Sequence, residues 1–417
     1  MSYRILTIAP TSFFADYGCH VRIYEEVRTL QERGHRITIC TYHTGNNVPG
    51  MDIRRSLNVP WRKGVQVGSS RHKIYFDAVL GLTVLRTALR FRPHLIHAHL
   101  HEGALLGWPI RQLLGIPLVF DLQGSLTGEM VDHHFLNPRG ALFPRVRRLE
   151  RWIDHLPDAV ITSSANAASL LRGAFGVPAE RVFPVTDAVD TRNFAPAATP
   201  DARAAVAAHK ALLGIPAEAP VVVYLGLLAP YQGTDLLLQA AQMVLQQRPD
   251  AYFVIMGYPG VESYSRLAAA MGLAERVLFP GRIPYPEAPV WLGIGDVAVA
   301  PKLSDTEGAG KIGNYMAMGL PTVAFDTPIS REFLGELGLY AERGNPRALA
   351  DALLAILADD ARRTTLAAGL RDRAVRHYSW PAAARRIEEV YELARLWRGG
   401  EQPAPLQPAP RPINRRS

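Results

Sequence analysis

Thr306 to Asp326 reads TEGAGKIGNYMAMGLPTVAFD, with an acid, two close glycines and a lysine just ahead of a helical pattern. The first backbone N–H groups of a helix lack partners within it, and the helix dipole is positive at that end. Gly308 and Gly310 let a ligand approach that backbone closely, and Lys311 adds a full charge. Those residue types in that order suit an anion, a phosphate first of all. Lys311 and Asn314 are three apart and share a helix face. Glu307 would repel a phosphate, but it can accept hydrogen bonds from sugar hydroxyls beside one. The bland alternative is a helix capped within Asp305 to Glu307 whose glycines pack on a sheet. Gly308, Gly310 and Gly313 also have the spacing of a dinucleotide loop. KLSDTE separates them from the preceding strand, however, so the segment favours a phosphate over a dinucleotide.

The elements that must carry this segment follow one rhythm. Short apolar runs, RILTIAP, RITICTY, HLIHAHL, PLVFDLQ, AVITSS and RVFPVT, alternate with helical stretches. An Ala- and Pro-rich stretch with one helical segment interrupts them. The rhythm then restarts with VVVYLGLL, YFVIMG, RVLFPGR, VAVAP, TVAFD and GLYAE. Strands apolar on both faces and separated by helices predict parallel sheets covered on both sides. The fold class is therefore α/β, with two tandem Rossmann-like domains and a cleft between them. Ligands of such sheets bind outside the carboxyl ends of the strands. The expected boundaries are 1–190, a linker over 191–220, and 221–374. A helix over 375–398 crosses back to complete the first domain. The Pro-rich 399–417 reads as a disordered tail. In the opening segment the helix spans about Lys311 to Met318, stopped by Gly319 and Pro321.

The composition excludes several classes. Of 417 residues, 48% are hydrophobic and 20% charged, which is ordinary for a globular enzyme. Two cysteines are too few for a disulfide framework and fit a reducing cytosol. No apolar run is long enough to span a membrane, and the N-terminus lacks the layout of a signal peptide. The net charge of +8 leans toward anionic partners. Neither a base-stacking aromatic pattern nor a zinc finger is present, so nucleic acid is not an expected partner.

The first half offers its own polar groups. His97, His99 and His101 alternate along one strand and share a face. A three-histidine metal site is one reading; core histidines with no metal is the reading adopted. His101 and Glu102 fall at the strand's carboxyl end and are taken as acceptor-binding. After the next strand, DLQGSLTGEMVDHHF gathers Asp121, Gln123, Glu129 and His133 in a loop, where function concentrates. Asp121 and Gln123 are candidates to lie close to the reacting group, and Glu129 and His133 to bind the acceptor. Gly18 opens a helix after the first strand. The basic loop Trp61 to Lys73 and the arginines near the C-terminus are candidates for anionic lipid.

Taken together, the motifs resemble the retaining GT-B glycosyltransferases of family 4. Glu307, Gly308, Gly310, Met316, Ala317, Gly319, Leu320 and Pro321 match that family's EG(F/S)G…MA.GLP signature. ERGHRITICT, VFPVTDAVDTRNFAP, VVVYLGLLAPYQGTDLLLQA and RHYSWPAAARRIEEVYE resemble further family segments in the same order. The resemblance implies sugar transfer from a nucleotide-diphosphate donor to a glycan or lipid acceptor, with retention and no obligatory metal or cofactor. The donor residues expected are Gly226, Gln232, Arg282, Lys302, Glu307, Gly308, Gly310, Lys311 and Asn314. The acceptor residues expected are Gly18, His101, Glu102, Glu129 and His133, and the catalytic ones Gln123, Asp121 and Glu307. The cysteine content points to a cytoplasmic enzyme, and the net charge leaves peripheral contact with an anionic membrane as an option. Four positions depart from the pattern. Leu227 and Gln232 stand where the family has Arg and Lys, Asn314 where it often has Glu, and Gln123 where it often has His. Lys302, Lys311 and Arg282 are expected to replace the lost cations. A non-catalytic sugar- or nucleotide-binding partner and a sugar-nucleotide epimerase are the alternatives.

Overall fold

The computed structural model describes residues 2–15, 18–58, 73–132, 135–304 and 309–401. Thirteen strands occur among them. In chain order they are β1 (Arg4–Ala9), β2 (Arg36–Thr41), β3 (Asp52–Arg55), β4 (Leu95–His99), β5 (Leu118–Leu122), β6 (Ala159–Thr162) and β7 (Val182–Pro184), followed by β8 (Val221–Leu225), β9 (Tyr252–Met256), β10 (Val277–Gly281), β11 (Val297–Ala300), β12 (Thr322–Phe325) and β13 (Leu339–Ala341). The first seven form one sheet in the order β3-β2-β1-β4-β5-β6-β7, and the rest form a second in the order β10-β9-β8-β11-β12-β13. The paired strands in both sheets are parallel. Each strand order reverses beside the sheet's first strand, between β1 and β4 and between β8 and β11. Those switch points open the crevices where such sheets take ligands.

The predicted strands all form, because runs such as LIHAH and VVVYL are apolar enough to be buried on both faces. β3 escaped prediction. Its sequence, DIRR, lies at a sheet edge and is half-exposed, so it carries no apolar run.

The crossover differs from the expected single helix over 375–398. The chain forms two helices, Asp360–His377 and Trp380–Arg398, with a break at Tyr378 and Ser379. There the Val189 N–H donates to the Tyr378 carbonyl at 2.7 Å, and the Trp380 N–H donates to the Val189 carbonyl at 3.4 Å. Pro381 suits the first turn of the second helix. Ile387, Val390, Tyr391 and Ala394 of that helix join the core beneath the first sheet. Tyr391 Oη lies 2.6 Å from His97 Nδ1, which ties the last helix to β4.

Candidate active site

On the first sheet's side, the site is built around Arg22. It lies on the helix Gly18–Glu32 and is 4% exposed. Its Nε and Nη2 donate to both oxygens of Asp121, at 2.8 and 2.9 Å, and its Nη1 donates to Asp187 Oδ1 at 2.8 Å. Bidentate pairing of this kind fixes both partners. His99 Nδ1 is 3.0 Å from Asp121 Oδ2, and Gln123 Nε2 is 3.1 Å from the same oxygen. Gln123 Nε2 is also 3.2 Å from His99 Nδ1. A ring nitrogen that donates to Asp121 cannot also accept, so the amide's proton goes to the carboxylate. Glu129 folds over Gly124, beside Gln123: its Oε1 lies 2.3 Å from where a Cβ on Gly124 would stand.

The buried charges are sharply differentiated. Burial pushes the Asp121 carboxyl up, but Arg22 and then His99 overcome it and hold the group well below the usual carboxylate range. Burial and the charge of Asp121 push Glu26 well above that range, which favours its neutral form. The Arg22 Nε lies 3.0 Å from Glu26 Oε1, yet that oxygen has no hydrogen-bond partner, because the N–H points at Asp121. Burial drives His97 well below its ordinary value, and His99 adds to the effect. Burial also lowers His20 to about 3. Neutral His20 accepts from the Ala15 N–H at 2.8 Å and pairs with Thr11 through its other nitrogen, which holds the loop after β1.

On the second sheet's side, Lys302 and Lys311 come together at the switch point, while Arg282 lies apart after the edge strand. Lys311 lies in the first turn of the helix Gly310–Ala317. Its Nζ donates to Gln232 Oε1 at 2.9 Å and to Tyr224 Oη at 3.0 Å, and stands 4.3 Å from the centre of the Tyr224 ring. Gly226 makes room for it, since a Cβ there would lie 2.6 Å from the ammonium. Lys302, Ser304, Lys311, Thr327 and Ser330 line one depression. Asn314 is half-buried one turn along the same helix. Arg282 follows β10, is exposed, and stacks over Tyr258 at 5.3 Å. It also depresses the titration of His20, which places it across the cleft from the first sheet's loop. The helix ends as predicted, with Gly319 left-handed at φ 66°.

The two sides meet at Asp187. Its Oδ2 lies 3.8 Å from the position of a Cβ on Gly310, and Lys302 is close enough to favour its charged form. Two more contacts cross the cleft. Tyr285 Oη donates to Glu25 Oε1 at 3.0 Å, and the Ala165 N–H meets both Glu332 oxygens at 2.9 Å.

Several predicted residues sit differently from expectation. Asp121 has no exposed surface and is engaged by Arg22, His99 and Gln123. Gln232 is 5% exposed and acts by holding Lys311. His101 is buried instead of being presented at the strand's end. Leu100 turns the chain at φ 60°, and the His101 ring packs edge-on to Phe120 at 5.3 Å. The same turn separates His101 from the stacked pair His97 and His99, so the three histidines do not converge. Gly18 opens its helix at an exposed position where a Cβ would meet nothing within 4 Å, which leaves that N-terminus accessible. Glu102 is half-buried beside Tyr42, whose titration it raises. Glu307, Gly308, His133 and most of the basic loop lie outside the described residues.

The chain is similar to known proteins over most of its length. Residues 17–188 match the family described as glycosyl transferase 4-like domain, and residues 219–359 match glycosyl transferases group 1. The chain is 27% identical over 410 residues to the D-inositol 3-phosphate glycosyltransferase of Thermobispora bispora, covering 90% of each. It is 28% identical over 394 residues to that of Xylanimonas cellulosilytica, covering 90% of this chain and 92% of the relative. Among solved structures, the sucrose-phosphate synthase of Thermosynechococcus elongatus superposes with a TM-score of 0.77 at 20% identity, covering 93% of this chain and 98% of that one. Anabaena HepE in complex with UDP-glucose superposes at 0.74 with 17% identity, covering 94% and 99%.

Proposed function

We propose, for a chain that belongs to family 4 of the GT-B glycosyltransferases and is therefore a sugar-transferring enzyme, a retaining transfer from a nucleoside-diphosphate sugar. Residues 221–374 take the donor. Residues 1–190, completed by the last helix, take the acceptor, and 191–220 link them. The observation that carries this reading is the Lys311 ammonium. Gln232 Oε1 and Tyr224 Oη hold it in the first turn of its helix, where it lines one depression with Lys302.

Cleavage of the sugar–phosphate bond builds negative charge on the leaving diphosphate. Lys311, Lys302, Arg282 and the backbone of Gly308 and Gly310 supply compensation where that charge develops. Glu307 and Asn314 take hydroxyls of the donor. Leu227 and Gln232 remove two usual cations, and Lys311 carries more of the phosphate than it does in relatives with a full set. Across the cleft, Gln123 faces the reacting sugar, oriented by Asp121 and His99. Glu129 and the helix N-terminus at Gly18 receive the acceptor. The HepE structures hold UDP and UDP-glucose, which makes a uridine donor the first to test. The curated relatives act on inositol 3-phosphate by name, which points to a phosphorylated polyol or glycan acceptor.

No helix among the described residues is long and apolar enough to cross a membrane. The reading includes peripheral contact with an anionic membrane from the cytoplasmic side. The helix Phe143–Asp154 supports it, since Leu142, Leu149 and Trp152 are exposed beside exposed Arg145, Arg148 and Arg151.

Calorimetric titration with UDP- and GDP-sugars tests the assignment. A uridine sugar is expected to bind the wild type and to bind Lys311→Ala far more weakly. Failure of every nucleotide sugar to bind would sink the donor reading.

A further inference from the structure

We infer that His101, Glu150 and Asp154 form a structural site for a divalent, zinc-sized cation beneath the segment that carries Gln123 and, on the short helix Leu126–Asp132, Glu129. His101 comes from the first turn of the helix Leu100–Leu114; Glu150 and Asp154 are one turn apart on the helix Phe143–Asp154. All three are at least 95% buried, from their exposures of 5%, 1% and 1%. One ligand atom from each lies within 4.8 Å of the others.

The hydrogen bonding leaves this cluster incomplete. Glu150 is oriented from its outer side: Oε1 accepts from Ser125 Oγ at 2.7 Å, and Oε2 accepts from the Thr127 N–H at 3.0 Å and from the Thr127 hydroxyl. Both oxygens of Asp154 and His101 Nε2 lack a well-aligned hydrogen bond, although burial is outweighed by Asp154 and then Glu150, which raise the His101 titration as a close histidine–carboxylate contact does. A buried carboxylate left in that state is costly unless a cation answers it. His101 Nε2 stands 3.4 Å from Asp154 Oδ1 and 3.8 Å from Glu150 Oε1. Those separations are long for N–H···O bonds. They are near the edges of a tetrahedron around zinc, about 3.3–3.6 Å for ligand distances of about 2.0–2.2 Å. Among the described residues no lysine or arginine pairs with either carboxylate, so even an imidazolium would leave the cluster net negative. A dication with two carboxylates and a neutral imidazole is balanced.

The neighbouring cluster of Glu26, His97, His99 and Asp121 shows the contrast. It also brings metal-ligating atoms together, but the Arg22 guanidinium already supplies its positive charge. At the other cluster the ion would do that work. It would join the end of β4 to the helix Phe143–Asp154 and, through Glu150, to Ser125 and Thr127. Orientation of a ligating carboxylate by outer hydroxyls is usual for such sites. The acceptor loop then rests on a metal-fixed floor, with no chemistry assigned to the ion.

Elemental analysis of the full-length protein after chelator treatment and zinc reloading tests this directly. Close to one zinc per chain is expected, with a rise of several degrees in Tm on reloading. Cobalt in place of zinc should give the intense visible bands of a four-coordinate site. Asp154→Asn and His101→Gln should lose the metal and the bands, whereas Lys311→Ala, which disables the proposed donor site, should keep both. Absence of zinc uptake and of cobalt bands in the wild type would overturn the site and leave a direct His101–Asp154 ion pair. Undiminished metal in a folded Asp154→Asn variant would overturn it equally.

Discussion

The two walls of the cleft use charge in opposite ways. On the first sheet's side, Arg22 is matched by buried Asp121 and half-buried Asp187, and burial with the charge of Asp121 pushes Glu26 toward its neutral form. On the second side, the Lys311 ammonium is steadied by an amide oxygen, a phenol and a ring face. A charge already matched by a countercharge can position but has little left for a ligand. One held by dipoles keeps most of its field. On the function proposed above, the first wall frames Gln123 and the second receives the anion.

The sharpest way to break this contrast is Asp121→Ala. It strips the bidentate partner from a buried guanidinium and should cost about 3–5 kcal/mol of stability. Chemical denaturation checks it, and a loss under about 1 kcal/mol would mean the first wall is not a matched-charge frame. Lys311→Ala is expected to leave unfolding nearly unchanged while weakening donor binding roughly 10- to 100-fold, the worth of a charged hydrogen bond of about 1.5–3 kcal/mol. Equal damage to binding and stability would erase the distinction between receptor and frame. Gln232→Lys sharpens the point. It restores the cation usual at that position but sets two ammonium groups against each other, so donor affinity should fall.

A pH series probes the buried histidines of the first wall. His20 titrates near its ordinary value when unfolded and at about 3 when folded, so its contribution to stability is complete above about pH 6.5. It is lost as pH falls toward 3, with a slope of about 1.4 kcal/mol per unit. His97 adds a slope of the same sign. His20→Gln should flatten the acid limb of the Tm profile by one histidine's share; an unchanged limb would show that the ring is not buried neutral. Tyr285→Phe is the mildest test. Loss of the bond to Glu25 across the cleft should cost about 0.5–1.5 kcal/mol and register in substrate affinity more than in turnover.

Much of this architecture was legible in the sequence. Strands buried on both faces announce themselves as apolar runs, and the helix stop at Gly319 follows from local chemistry. Lys311 was readable for the same reason, since a lysine beside glycines at a helix start has few structural uses. Arg22 and Glu26 were not. They lie on the buried side of a helix whose Ile23, Val27 and Leu30 already account for an apolar stripe, so their charges read as solvated. Their partner Asp121 is 99 residues from Arg22, a distance no local pattern spans. Glu150 and Asp154 were hidden likewise, in a helix whose arginines dominate its appearance. The misplacement of His101 came from Leu100, whose left-handed backbone swings the next side chain off the strand's face.

The isolated backbone bridge between Val189 and Ser379 has a mechanical consequence. The chain passes between the two sheets twice, and the outgoing and returning segments are hydrogen-bonded side by side. Two tethers laid together resist twisting and sliding more than bending. Any opening of the cleft must flex both at one line, which confines it to a rotation about that line. A chain ending before Tyr378 would keep every predicted donor residue yet hang its two halves on a single thread, free to swivel out of register.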